Sequence, residues 1–132
     1  MILYIEEVLR ATGGKLIQGE KETFFHGIST DSRRVVEGEL FIALKGVHFD
    51  GHHFAREALE KKAGGVVVEE DQVEDIRWNG YRPKAVIAVR DTLRALGDLP
   101  LKNTIFQLIQ LLYQTIWVQK HMLHSKTLAR TF

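Results

Sequence analysis

The sequence predicts an α/β fold in which a mixed, mainly parallel β-sheet is flanked by helices. Apolar runs typical of strands buried on both faces occur at residues 40–44, 66–68 and 85–89. Segments with helical periodicity follow the first and the last of these runs, and strands that alternate with helices indicate a layered α/β domain. The length of 132 residues suits a single hydrophobic core.

The first thirty residues contain one predicted helix and two predicted strands. The helix spans residues 1–12 and ends at Gly13-Gly14, and its apolar face is formed by Ile5, Val8 and Leu9. The strands are predicted at 15–17 and 23–29, on either side of a polar turn. The second strand leads directly into a polar segment that begins with Thr30.

The later elements alternate between strand and helix. The strand at 40–44 lies between two glycine-containing turns, and the β-branched run at 66–68 and the apolar run at 85–89 predict two further strands. A helix is predicted at 52–62, with Phe54, Ala58 and Leu59 on its apolar face. Another helix is predicted at 92–99.

The composition excludes several classes of function. Eighteen basic and 17 acidic residues give a formal net charge of +1, which offers no basis for binding nucleic acid or an acidic membrane surface. The absence of cysteine excludes disulfides and thiolate chemistry. The first ten residues contain two acids where a secretory signal needs an uninterrupted apolar core. We therefore expect a soluble, cytoplasmic protein.

Small polar residues flank the strand at 40–44 on both sides. Asp31-Ser32-Arg33 precedes the strand, and Asp50-Gly51-His52 follows it. Such residues beside a rigid strand suit a site for a polar ligand. Each fragment also has a simpler interpretation, because Asp-Ser-Arg can form a turn and Asp50 can cap a helix.

The order of these fragments resembles the N-terminal domain of the bacterial Mur ligases that use UDP-linked muramoyl peptides. The shared pattern contains Asp-Ser-Arg at 31–33, Gly-Glu-Leu-Phe-Ile-Ala at 38–43 and Asp-Gly-His-His-Phe at 50–54, followed by a helix and a valine-rich strand. The resemblance covers about residues 1–99. It implies a small layered α/β domain that binds a UDP-MurNAc-peptide.

Two branches of that family share this pattern. One branch adds the third residue of the peptide, and the other adds D-alanyl-D-alanine. Residues 91–99 and the Thr-Gly-Gly at 12–14 resemble the second branch, which implies UDP-N-acetylmuramoyl-tripeptide as the ligand. The alternatives are the first branch and a non-enzymatic interaction module that uses a C-terminal helix.

The resemblance implies seven residues that contact the uridine and the diphosphate: Thr30, Ser32, Arg33, Gly46, Val47, His48 and Phe49. Their chemistry agrees with this role. Ser32 can hydrogen-bond to uracil or phosphate, and the Arg33 guanidinium can donate paired hydrogen bonds to a diphosphate. Gly46 lets a ligand approach the backbone closely, and His48 or Phe49 can pack against uracil. The alternative for Arg33 is a surface salt bridge to Glu37 or Glu39.

The resemblance also implies that the parent enzyme is an ATP-dependent amide ligase that uses Mg²⁺. That chemistry needs a glycine-rich loop followed by Lys-Ser or Lys-Thr, and the sequence contains no such loop. We therefore expect no catalytic residue and no cofactor site in this chain. We expect no metal site either, since His48, His52 and His53 do not match a standard zinc pattern.

Residues 100–132 differ in composition from the rest of the chain. All 17 acidic residues lie at or before Asp98, and the apolar residues of this tail recur at helical spacing: Ile105, Leu108, Ile109, Leu112 and Ile116. We predict one amphipathic helix that packs on the domain or self-associates weakly through its apolar face. Because the resemblance ends at Leu99, we also expect that this basic tail arises from a frameshift or a truncated gene.

Overall fold

The structure is a computed structural model that describes residues 2–76, 78, 84–101, 108 and 110–121. Its strands are β1 (Leu3–Tyr4), β2 (Lys15–Gln18), β3 (Phe24–Phe25), β4 (Ile28–Ser29), β5 (Leu40–Ile42), β6 (Gly65–Glu69) and β7 (Val86–Val89). Its helices are α1 (Ile5–Thr12), α2 (Ala55–Glu60), α3 (Thr92–Asp98) and α4, which includes residues 110–121. Short 3₁₀ helices occupy Gly51–Phe54 and Glu70–Gln72.

Five of the strands form one mixed sheet in the order β2-β7-β6-β5-β4. The four strands from β4 to β7 are parallel, and β2 pairs antiparallel with β7 at one edge. The predicted α/β fold with a mixed, mainly parallel sheet is therefore confirmed.

The predicted strand at 23–29 is divided between two sheets. β3 pairs antiparallel with β1 in a separate two-stranded sheet, whereas β4 pairs with β5. The division falls at His26, whose N–H donates to the Gly38 carbonyl at 3.0 Å instead of continuing the ladder with β1. The pairing of β1 with β3 also explains why α1 begins at Ile5 rather than at the first residue.

Side chains of the sheet alternate between two buried layers, as the two-residue period of a strand requires. One layer packs with α1 and α3 and includes Leu40, Ile42, Val67, Ile87 and Val89. The other layer packs with α2 and includes Phe41, Ala43, Val66, Val68 and Val86. Each of these side chains is almost completely buried, so the prediction of strands covered on both faces is confirmed.

The predicted helix at 52–62 is shorter than expected. Residues 51–54 form a 3₁₀ helix, and the α-helical part begins only at Ala55. The Asp50 carboxylate accepts a hydrogen bond from the His52 N–H at 3.0 Å and so caps this segment, as its position before a helix predicts.

α4 packs against α3 through polar and aromatic side chains. Gln110 is buried, and its Nε2 donates to the carbonyl oxygens of Leu96 and Leu99 at 2.9 and 2.7 Å. The Trp117 Nε1–H donates to the Asp91 carboxylate at 2.9 Å, at the opposite end of α3. The two helices therefore run antiparallel.

The aliphatic side chains of α4 and of Leu108 are exposed, whereas Tyr113 is half-buried and packs against the core layer of α1 and α3. Exposed side chains are Leu108, Leu111, Leu112, Ile116 and Val118. A helix is present at 110–121 and packs on the domain through α3, whereas the described residues of the predicted apolar stripe, Leu108, Leu112 and Ile116, are exposed. Two positions of that predicted stripe, Ile105 and Ile109, lie outside the described residues. Within the described part of the chain, no helix is long and apolar enough to cross a membrane.

Candidate functional site

The carboxyl ends of β4, β5, β6 and β7 lie along one edge of the sheet because these strands are parallel. Open α/β sheets bind their ligands at this edge. The segment at 30–33 follows β4, and a loop at 45–50 comes shortly after β5. All seven predicted site residues belong to these two segments.

The 45–50 loop has a closed base and an exposed tip. Lys45 and Asp50 pair across its base, and the Gly46 N–H donates to the Phe49 carbonyl at 2.6 Å. At the tip, Val47 is 91% exposed, and about half of Phe49 is exposed. The Phe49 ring stacks on Phe54 with a centroid distance of 5.4 Å and an interplanar angle of 8°. The loop thus presents an anchored aromatic ring and a fixed backbone turn.

A pocket of about 160 Å³ lies beside this loop. Its walls include Lys45, Gly46 and Val47 from the loop, together with Glu69, Asp91, Thr92, Leu93 and Lys120. The pocket therefore joins the ends of β6 and β7 to the loop and to α4. Thr30, Ser32 and Arg33 are not among its wall residues.

The charged groups of the pocket are two lysines and two carboxyls. Burial raises the pKa of the Glu69 carboxyl, and a hydrogen bond from the Thr92 N–H at 3.3 Å offsets this only in part. The Asp91 carboxylate accepts hydrogen bonds from the Arg94 N–H and the Trp117 indole. Because both carboxyls bond to the protein itself, Lys45 and Lys120 are the wall residues suited to an anionic ligand.

Sequence reasoning missed Glu69, Asp91 and Lys120. A signal existed for the first two, because each follows an apolar run predicted to be a parallel strand, and residues after such strands meet at one edge. Lys120 carried no comparable signal, since only the docking of α4 on α3 brings it to the pocket.

The Asp31 carboxylate organises the segment that follows β4. It accepts hydrogen bonds from the Arg33 N–H at 2.9 Å and from the Arg33 guanidinium at 3.1 and 3.0 Å. Arg33 therefore pairs with Asp31, not with Glu37 or Glu39 as in the alternative drawn from the sequence. Asp31 takes two of the five guanidinium N–H groups, so Arg33 can still bind an anion.

Ser32 points toward α2 and away from bulk solvent. It is 6% exposed, and its hydroxyl donates to the Glu57 carboxylate at 3.5 Å. Its carbonyl oxygen accepts a hydrogen bond from Lys61 Nζ at 3.0 Å. These contacts fasten the segment after β4 to α2, whereas Thr30, beside it, is half-buried. The structure therefore places the predicted site residues in two groups. Thr30, Ser32 and Arg33 lie in the segment that Ser32 fastens to α2, and the other four lie in the 45–50 loop, where Gly46 and Val47 line the pocket and His48 and Phe49 do not.

We expect the pKa of Asp31 to rise from about 2 toward its ordinary value of 3.8 in the variant Arg33→Gln. The side-chain hydrogen bonds from Arg33 are the largest cause of the lowered pKa, and the backbone bond from the same residue would remain. Since folding favours the ionised form, this contribution to stability is complete above pH 3.8 and is lost as the pH falls toward 2. An NMR titration of the side-chain carboxyl carbon measures the pKa.

Arg34→Gln is the matched control for this titration. Its Nε lies 3.9 Å from the Asp31 carboxylate, and its charge is the last of the causes that lower the pKa. Equal shifts in the two variants would contradict the specific pairing of Arg33 with Asp31.

The histidines near the loop occupy different environments. His48 and His53 are exposed, whereas the His52 side chain is 1% exposed. His52 Nδ1 lies 2.7 Å from an Asp50 carboxylate oxygen, and its Nε2 accepts a hydrogen bond from the Glu69 N–H at 2.9 Å. In the residues that the structure describes, no group of three or more histidine and acidic side chains is arranged to hold a metal ion.

A larger cavity of about 740 Å³ lies at the opposite, amino edge of the sheet. His26, Gly38 and Gly64, which precede β4, β5 and β6, contribute to its walls. Its charged residues are of both signs: Glu20, Glu22, Glu37, Lys62 and Lys84. None of the predicted site residues lies there, so the carboxyl edge remains the better candidate site.

Comparison with known proteins identifies relatives that contain this domain. Residues 24–103 match the Mur ligase family, catalytic domain. The UDP-N-acetylmuramoyl-tripeptide–D-alanyl-D-alanine ligase of Treponema pallidum is 42% identical over 103 residues, which are 75% of this chain and 22% of that protein. The UDP-N-acetylmuramoyl-L-alanyl-D-glutamate–2,6-diaminopimelate ligase of Clostridium perfringens is 32% identical over 97 residues, which are 72% of this chain and 18% of that protein.

Solved structures give the same result. A crystal structure of MurF from Acinetobacter baumannii superposes with a TM-score of 0.61 at 28% identity, covering 74% of this chain and 20% of that one. The chain thus spans about a fifth of the length of the relatives that it matches. The family match ends at residue 103, shortly after the last acidic residue of the sequence. These matches confirm the resemblance read from the sequence, and the chain belongs to the Mur ligase family.

Proposed function

We propose that this chain is the domain that binds UDP-N-acetylmuramoyl-tripeptide in a ligase that adds D-alanyl-D-alanine during peptidoglycan precursor synthesis. The observation that carries the proposal is the exposed 45–50 loop beside a pocket at the carboxyl edge of the sheet, in a chain of this family. The 42% identity to a D-alanyl-D-alanine ligase supports the choice of branch.

The 45–50 loop supplies groups that match a uridine diphosphate. Lys45 provides positive charge at the pocket wall, where two phosphates need neutralisation. Phe49 is half exposed and held against Phe54, so one ring face is available to stack on uracil. A Cβ at Gly46 would have only the Phe49 carbonyl nearby, at 3.8 Å, and this open space beside the loop supports a close approach of the ligand.

Arg33 and Ser32 contribute from the neighbouring segment. The guanidinium is exposed and oriented by Asp31, which prepares it to bind a phosphate or a carboxylate. Ser32 is occupied by its contacts with α2, so its role is to hold this segment in place for Arg33 and Thr30.

Ligation itself is assigned to parts of the enzyme that this sequence does not contain. A ligase that forms an acyl phosphate needs ATP, Mg²⁺ and a glycine-rich loop followed by Lys-Ser or Lys-Thr. No such loop occurs in the sequence, and we propose that the chain binds substrate without catalysing ligation. We place the chain in the cytoplasm, because its proposed substrate is a soluble precursor.

The other branch of the family is the second candidate. Ligases that add 2,6-diaminopimelate are similar to this chain at 32% and 45% identity, the latter over 71 residues in Aquifex aeolicus. The names of these ligases specify a UDP-muramoyl-dipeptide, UDP-N-acetylmuramoyl-L-alanyl-D-glutamate. A preference of this chain for the dipeptide over the tripeptide would favour that branch.

Titration of the full chain by NMR tests the proposal. Addition of UDP-MurNAc-tripeptide or of UDP is expected to shift the amide resonances of Arg33 and of residues 46–49, whereas ATP is expected to shift none of them. The variant Lys45→Gln is expected to weaken UDP binding. Lys84→Gln, which removes a lysine from the opposite edge of the sheet, is its control.

The absence of binding in the same titration would overturn the proposal. A folded chain that shows no shift with either UDP compound does not bind the substrate, and the family resemblance then describes its ancestry alone. Equal binding of ATP and UDP would show a general affinity for nucleotides at this edge.

A further inference from the structure

The buried imidazole of His52 connects two segments that are distant in sequence. Its Nδ1 lies 2.7 Å from the Asp50 carboxylate, and its Nε2 lies 2.9 Å from the backbone nitrogen of Glu69. Asp50 closes the 45–50 loop, and Glu69 ends β6. The side chain is 1% exposed, so water does not compete for either bond.

The two partners define the protonation state of the ring. The Glu69 N–H can only donate, so Nε2 must be unprotonated, and the Asp50 carboxylate then accepts a hydrogen bond from Nδ1–H. The imidazole is therefore neutral and in one tautomer.

The connection continues to the far wall of the pocket. The Glu69 carboxylate accepts a hydrogen bond from the Thr92 N–H at 3.3 Å, at the start of α3. Glu69 and Thr92 line the pocket together with Lys45, Gly46 and Val47. A chain of hydrogen bonds thus runs from the loop after β5, through the end of β6, to the helix after β7.

We propose that His52 is a positioning residue, whose neutral imidazole holds the 45–50 loop and the end of β6 in the arrangement that binds the UDP part of the substrate. This inference rests on the proposed function for its ligand. His52 is buried and is not a wall residue of the pocket, so it would act on the ligand only through the loop and the end of β6. The essential bond is the one to Glu69, because Asp50 also accepts a hydrogen bond from the His52 backbone N–H, at 3.0 Å.

Two amide variants separate the two bonds. In His52→Gln the amide reaches the position of Nε2, so its oxygen can accept from the Glu69 N–H. In His52→Asn the shorter amide reaches the position of Nδ1, so it can donate to Asp50 but cannot reach Glu69. His53→Gln changes the exposed neighbour and is the matched control.

The first measurement uses the 132-residue chain without ligand. The ¹⁵N resonances of His52 are expected to show one protonated and one unprotonated nitrogen, with the unprotonated nitrogen at Nε2. Hydrogen exchange of the Glu69 amide is expected to be slow in the wild type and in His52→Gln and at least tenfold faster in His52→Asn. A charged ring, the other tautomer, or equal exchange in the two variants would overturn the inference.

The second measurement is the UDP affinity of the same proteins. His52→Asn is expected to weaken binding about tenfold, the effect of losing one buried hydrogen bond, whereas His52→Gln and His53→Gln stay within about threefold of the wild type. If the two His52 variants bind equally well, His52 does not position the site. If wild-type protein does not bind UDP, the proposed function fails, and the exchange data still decide whether His52 holds the loop.

Discussion

Replacing Gly51 with alanine is expected to destabilise the fold by about 3 kcal/mol, the upper end of the usual cost of overpacking. An added Cβ would lie 2.8 Å from the Leu44 carbonyl oxygen, 2.9 Å from the Leu44 nitrogen and 3.1 Å from the Ala43 Cα. These are backbone atoms next to β5, so no side chain can move aside. The Gly51 N–H also donates to the Leu44 carbonyl at 2.7 Å, a bond that the added carbon would strain.

The change in stability is measured by urea unfolding, followed by tryptophan fluorescence or circular dichroism. Gly46→Ala is the matched control in the same loop, because its Cβ would have only the Phe49 carbonyl nearby, at 3.8 Å. That variant is expected to stay within about 0.5 kcal/mol of the wild type. A Gly51→Ala protein as stable as Gly46→Ala would show that the backbone at the base of the loop is less constrained than the structure indicates.

The three residues of the Asp50-Gly51-His52 motif have separate structural roles. From the sequence, the motif predicts the start of a helix beside a binding loop. Asp50 caps the 3₁₀ helix, Gly51 permits the close approach to β5, and His52 bonds to the end of β6. The first role follows from local sequence, whereas the other two depend on contacts with distant strands.

Much of the sheet could be predicted because its strands are buried on both faces. The runs at 66–68 and 85–89 are apolar at every position, as expected of strands covered on both faces, and the structure places them in adjacent parallel strands. The prediction of one strand at 23–29 is wrong, because the structure divides this segment into β3 and β4. Its two halves have similar strand-forming residues, and only their different partners, β1 and β5, separate them.

The candidate site could be predicted only in part, because contacts between segments distant in sequence bring some of its residues together. The 45–50 loop is predicted from the family resemblance together with its glycines and polar residues. Glu69 and Asp91 each follow a predicted strand, but they share one pocket only because β6 and β7 are neighbours, and this strand order is not encoded in a short segment. The alternative prediction for Arg33, a salt bridge to Glu37 or Glu39, is wrong, because the Asp31 carboxylate two residues before it forms the pair.

Gln110→Leu is expected to destabilise the protein by about 1–3 kcal/mol, the cost of leaving a buried carbonyl group without a partner. In a continuous helix the N–H of residue 100 would donate to the Leu96 carbonyl, but residue 100 is proline and has no N–H. Gln110 Nε2 supplies that hydrogen bond at 2.9 Å. The Leu99 carbonyl would lose its bond from Gln110 but keep the one from the Leu101 N–H at 2.9 Å.

Gln119→Leu is the control, since Gln119 is exposed on the same helix, and it is expected to change the unfolding free energy by less than about 0.5 kcal/mol. A tail that arose by frameshift and did not dock would give the same small change for both variants. A selective loss in Gln110→Leu would show that α4 is part of the folded domain. It would also explain why the apolar stripe of α4 remains exposed. The face that docks carries glutamines and aromatic side chains, because carbonyl groups at the end of α3 lack donors within that helix and accept hydrogen bonds from Gln110 and Gln114.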